Sequence, residues 1–112
     1  MKRSEIWLVN LDPAIGSEIK KKRPAIIVND DEIGILPLKV IVPVADWKDR
    51  YNVAAWMVKI DPDKINSLDK ASAADCFQVR SVSEIRLIKK IGSIDHFTMQ
   101  KITVALSKVL KI

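Results

Sequence analysis

The chain holds one cysteine, one histidine and three glycines among its 112 residues. A lone Cys76 excludes an internal disulfide, and nothing else points to an oxidising compartment. One cysteine and one histidine cannot compose an ordinary zinc site, and the acidic residues follow no EF-hand spacing. Glu18, Asp46 and Asp49 form the remaining hard-cation set, but any loop can hold two carboxylates, so no metal is expected. Three glycines leave no glycine-rich loop to cradle a nucleotide phosphate, so no cofactor is expected either. No apolar run approaches the ~20 residues that span a bilayer. The opening Met1-Lys2-Arg3-Ser4-Glu5-Ile6-Trp7 carries no apolar signal region. These shortages imply a cytoplasmic protein without a membrane role.

What is present is a core and an excess of positive charge. Hydrophobic residues make up 48% of the chain, enough for a single domain over residues 1–112 and too many for a disordered tail. Nineteen basic residues against fourteen acidic ones give a net charge of +5. Such a balance attracts nucleic acid, but also anionic membranes and acidic proteins.

The apolar pattern has mostly strand period. In Glu5 to Leu11, Trp7, Val9 and Leu11 fall on one face, and Asp12-Pro13 ends the run. Ala25-Ile26-Ile27-Val28 reads as a buried strand. Leu38 to Val42 reads as the next, stopped near Pro43. Asp46 to Asn52 is a charged loop holding Trp47 and Tyr51. Ala54 to Ile60 alternates with Trp56, Val58 and Ile60 on one face; Ala74 to Val82 and Arg86 to Ile91 are two further strands. The period then changes: Met99, Ile102, Leu106, Val109 and Leu110 share a helical face, with Ser93 or Asp95 as cap. The expected architecture is mainly β with α, a small, strongly curved β-barrel closed by a C-terminal helix.

Chemistry concentrates in one loop. Gly16-Ser17-Glu18-Ile19 is followed by four cations, Lys20 to Arg23, then Pro24 and the buried strand. A solvated charged turn is the usual fate of a lysine run. Against that, Pro24 holds Arg23 extended at the edge of a rigid strand, and arginine suits bidentate phosphate recognition. Arg80 is a second such cation, on one strand face with Gln78; it is either paired with a surface acid or a second phosphate or base contact. Cys76 reads as a small buried apolar residue rather than a nucleophile, and His96 as an ordinary residue of the helix's first turn.

Glu5-Ile6-Trp7-Leu8-Val9-Asn10-Leu11-Asp12-Pro13, Gly16-Ser17-Glu18, Lys22-Arg23-Pro24-Ala25 and Phe77-Gln78-Val79-Arg80-Ser81-Val82 resemble the MazF/PemK/Kid toxins of bacterial type II toxin–antitoxin systems. The resemblance runs in the same order over nearly the whole chain. It implies an SH3-like barrel of the MazF/CcdB type and a homodimer. It implies a metal-independent, sequence-specific endoribonuclease that cuts single-stranded RNA, mostly messenger RNA. A cognate antitoxin would occupy the same groove, and DNA would be bound through the antitoxin complex alone. On this resemblance Arg23 matches a catalytic arginine, and Arg80 an RNA-binding or phosphate-stabilising one.

The family's hydroxyl after the third strand is missing: Val42-Pro43-Val44-Ala45-Asp46-Trp47 puts Ala45 or Asp46 in its place. Asp46 can accept a proton from a 2′-OH. The candidate set is therefore Arg23 and Asp46 for catalysis, with Glu18, Lys20, Lys22, Trp47, Gln78 and Arg80 for RNA binding. The alternatives are a catalytically weakened RNA- or antitoxin-binding module on the same fold, and a CcdB-like gyrase poison. The ending Val109-Leu110-Lys111-Ile112, without the tryptophan and glycine such poisons use, counts against the last.

Overall fold

Pro43 does not stop a strand; it marks where one strand changes partners. The computed structural model describes residues 1–112. It contains β1 (Glu5–Asn10), β2 (Lys22–Ile27), β3 (Leu38–Asp46), β4 (Met57–Ile60), β5 (Ser72–Asp75), β6 (Arg80–Ser83), β7 (Leu87–Ser93) and α1 (His96–Leu110). On one edge β3 pairs with β2, placing Ala25 opposite Pro43 and Ile27 opposite Ile41. On the other edge its first part, through Ile41, pairs with β6, and its last part, from Val44, pairs with β5. Pro43 falls in the break between β6 and β5, where no ladder N–H is required.

All pairings are antiparallel, in the order β4-β5-β3-β2-β1-β7, with β6 alongside β3. The strand path is open at β4 and β7, and α1 packs on β4 and on the 3-10 turn that follows β5. The mainly β class and the single terminal helix are those expected from the sequence; the sheet itself is not closed into the expected barrel.

The sheet buries both faces, which explains its continuous apolar runs. Because successive side chains point to opposite sides, Ile6, Ile26, Val42 and Val44 enter one core while Val9, Ala25, Ile27 and Ile41 enter another. The larger core holds 13 buried residues, including Met99, Ile102 and Ala105 of α1. The smaller holds 7, with Trp7 and Ile19 packed against it. Trp7, Val9 and Leu11 thus do share a side. Asp95 caps α1, accepting from Thr98 N at 2.7 Å, and so is the cap rather than Ser93.

Two further strand expectations need correction. Ala74 to Val82 is β5 and β6 separated by a 3-10 turn, Cys76–Gln78, because Asp75 accepts from Phe77 N at 3.1 Å and lifts the chain off the sheet. Trp56 precedes β4 instead of sharing its buried face; it is 41% exposed and edge-stacked on Phe77 at 6.1 Å. Leu110, read as part of the buried helix face, is also exposed.

Candidate functional site

The loop from Leu11 to Lys21 is pinched at its base. Leu11 N donates to Lys21 O and Lys21 N to Asp12 Oδ1, both at 2.9 Å. The Arg86 guanidinium donates to the carbonyls of Asn10, at 3.1 Å, and Asp12. Within the loop, Glu18 closes a turn on itself: its Oε1 accepts from Ile15 N at 2.7 Å, and its own N–H donates to Ile15 O at 3.2 Å. Gly16, with φ of 59°, supplies the left-handed residue of that turn.

Two open grooves share this loop as a wall. Ser17, Glu18 and Ile19 line both. The first groove adds Lys20, Arg23 at the start of β2, Asp46 at the end of β3, and Lys48 and Tyr51 beyond it. The second adds Pro43, the turn residues Phe77 and Gln78, and Arg80 of β6. The first is lined by three cations, Lys20, Arg23 and Lys48, and two carboxylates, Glu18 and Asp46. Positive charge prevails there, as a phosphodiester requires.

Arg23 is exposed, opposite Val9 in the β1–β2 register, and takes part in no ion pair. Its guanidinium is therefore available to a ligand. Asp46 pairs with Lys70 at 3.2 Å through Oδ2, and both side chains are well exposed. Of the two carboxylates in the groove, Glu18 is tied to its own turn, so Asp46 is the freer proton acceptor. No three His, Cys, Asp or Glu side chains converge on one point. Cys76 is fully buried; burial, and then the neighbouring Asp75 charge, push its thiol up to about 12, so it stays protonated.

Glu18, Lys20, Arg23 and Asp46 are thus brought together, and Gln78 and Arg80 lie across the loop from them. Lys22 and Trp47 line neither groove. Lys22 precedes Arg23 on a strand, so its side chain takes the opposite face. Trp47 stacks edge-on against Tyr51 at 5.6 Å and lies under the Lys59 ammonium at 5.5 Å, with its indole N–H buried and unpartnered. Tyr51, next in that stack, is the aromatic that reaches the groove. The sequence reading missed Lys48 and Ser17 as lining groups. It also missed Asp75, a nearly buried carboxylate whose one sequence signal is an acid inside an otherwise apolar run. Burial raises its pKa, and hydrogen bonds from Phe77 and Gln78 pull the other way.

Comparison with known proteins bears on the family and the fold. A family model described as PemK-like, MazF-like toxin of type II toxin–antitoxin system matches residues 2–110. Endoribonuclease MazF9 of Mycobacterium tuberculosis is 30% identical over 118 residues, covering 95% of this chain and 92% of that protein. Endoribonuclease PemK of Escherichia coli is 30% identical over 112 residues, covering 98% and 82%. The fold matches the crystal structure of MazF from Deinococcus radiodurans with a TM-score of 0.80 at 16% identity, covering 100% of this chain and 97% of that one. It also matches a mycobacterial endoribonuclease solved in complex with its cognate antitoxin, with a TM-score of 0.78 at 17% identity and coverage of 100% and 96%.

Proposed function

From the premise that the chain belongs to the PemK-like, MazF-like toxin family of type II toxin–antitoxin systems, we propose that it is a metal-independent, sequence-specific endoribonuclease cutting single-stranded messenger RNA. The observation that carries this reading is Arg23, unpaired and exposed on the wall of a positively charged groove that also holds Asp46. RNA contains its own nucleophile, so the protein has to orient, move protons and offset charge. The 2′-OH loses its proton to Asp46 and attacks the adjacent phosphorus. A 2′,3′-cyclic phosphate forms, the bond to the 5′-oxygen breaks, and that oxygen takes a proton from water or a groove cation. Arg23 donates to the non-bridging oxygens as their negative charge grows. Arg80 holds the strand in the second groove, with Lys20 and Glu18 along the wall between.

The working unit in this reading is one domain, residues 1–112, acting in the cytoplasm as a homodimer. Support for self-association comes from Phe97 and Val104, exposed apolar residues on the side of α1 turned away from the buried Met99 and Ile102. A cognate antitoxin covers the grooves and silences them, and DNA is contacted through that complex. No helix is long and apolar enough to cross a membrane.

Mixed single-stranded RNA incubated with the protein in excess chelator is expected to yield defined cut sites bearing cyclic-phosphate ends. The Lys70 pairing of Asp46, and the lack of a hydroxyl on Ala45 beside it, favour a second reading. In that reading the protein holds RNA, with affinity falling steeply in salt, and leaves every strand intact. End mapping separates the two, and cleavage that appears after magnesium is added counts against both.

A further inference from the structure

Between Ala14 and Lys20, every hydrogen bond from the loop to the rest of the chain is made with one side chain, Gln78. Its Oε1 accepts from Ile19 N at 2.6 Å, and its Nε2 donates to Ser17 O at 3.3 Å. The second Nε2 hydrogen goes to Asp75 Oδ2 at 3.2 Å. A carboxylate accepts and never donates, so Asp75 holds the Nε2 end of the amide on its own side and leaves Oε1 to accept from Ile19 N. Asp75 is itself held by Phe77 N at 3.1 Å, and it has no cationic partner. With both Nε2 hydrogens committed and Oε1 occupied, the carboxamide has little capacity left to read a base.

We infer that Gln78 is a positioning residue, a latch oriented by Asp75 that holds the β1–β2 loop upright as the common wall of the two grooves and thereby sets how tightly a single RNA strand is gripped. The grip rests on the endoribonuclease reading above; the latch rests on hydrogen-bond geometry alone. Ile19 adds an apolar contact to the smaller core, so loss of the latch loosens the loop without unfolding the sheet. Two intramolecular hydrogen bonds to the loop are lost with the carboxamide, which raises the population of the detached loop by about tenfold or more.

The test compares the parent with Gln78→Leu, which keeps the bulk and removes all three bonds, and with Gln78→Glu, which keeps the acceptor but faces Asp75 with a second carboxylate. The loop carries its own reporter, since trypsin cuts after Lys20, Lys21 and Lys22. Expected in both variants is tryptic nicking there, and exchange of the Ile19 amide, faster by about tenfold or more, with an unchanged thermal unfolding midpoint. The dissociation constant for a short random-sequence 2′-O-methyl RNA pool, which lacks the attacking hydroxyl, is expected to rise by a similar factor of about ten. The cleavage rate at saturating RNA stays within about twofold, a split that a general loss of folded protein cannot produce. An Ile19 amide as protected in both variants as in the parent overturns the latch. A loosened loop with unchanged RNA affinity overturns the grip. If the parent neither binds nor cuts RNA, the endoribonuclease reading fails and the grip with it, while nicking and exchange still decide the latch.

Discussion

The two cores on either side of the sheet differ in what they are asked to hold. The larger, 13 buried residues between the sheet and α1, is roofed by fifteen residues of regular helix and carries none of the candidate site residues. The smaller, 7 buried residues, lies under the grooves and is roofed by an irregular loop with Ile19 as its apolar contact. Chemistry thus sits on the less heavily packed side, where local opening costs least and a polyanion can be admitted without disturbing the fold. The side under α1 supplies stability; the groove side supplies charge. Mutations should separate the two.

The largest effect is expected on the helix side. Ile102→Ala removes a fully buried side chain and should cost roughly 2–5 kcal/mol in denaturant unfolding, with cleavage per folded molecule unchanged. If cleavage per folded molecule falls in step, the two sides are not separable.

On the groove side, Arg23→Ala should leave the unfolding midpoint where it was and slow RNA cleavage by about a hundredfold or more, as loss of a charge stabiliser does. Equal rates for variant and parent would remove Arg23 from the site.

The smallest effect sharpens the contrast through pH. Glu5 is partly buried, which alone would raise its pKa. Hydrogen bonds from Trp7 Nε1 and Lys2 N, and the Lys90 ammonium at 3.2 Å, outweigh that and hold it at about 2, below its ordinary 4.5. An acid with a lowered folded pKa stabilises the fold above its unfolded pKa. That stability drains away as pH falls from about 4.5 towards 2. Thermal midpoints should therefore drop over that window in the parent and drop less in Glu5→Gln. The clamp joins β1 to β7, away from both grooves, so RNA affinity at neutral pH should be the same in both proteins.

Local chemistry made much of this legible in advance. Strand period located the two faces of β1, and the unbroken run Ala25 to Val28 signalled burial on both sides. Helical period found α1 and its buried Met99 and Ile102, although it could not choose between Ser93 and Asp95 as cap. Pro24 correctly marked Arg23 as extended, but β2 already starts at Lys22, so Arg23 is paired inside the strand and does not sit on the loop before it. Pro43 misled because its cost depends on which neighbours β3 has on each side, and those lie from 14 residues away (Ile27 opposite Ile41) to 45 (Ser83 opposite Leu38). The run from Ala74 to Val82 misled because a side-chain cap at Asp75 interrupts it without any glycine or proline to announce the break.

Composition and periodicity were sufficient for the β-rich class, the terminal helix and a cation-rich loop leading into a buried strand, because these follow from side-chain alternation and backbone stiffness within a few residues. Folding in three dimensions was needed to bring Arg23 into one groove with Asp46, to turn Trp47 away from the grooves, and to hand the loop to Gln78. Each of those depends on contacts between distant segments, and no local preference encodes which distant segment arrives.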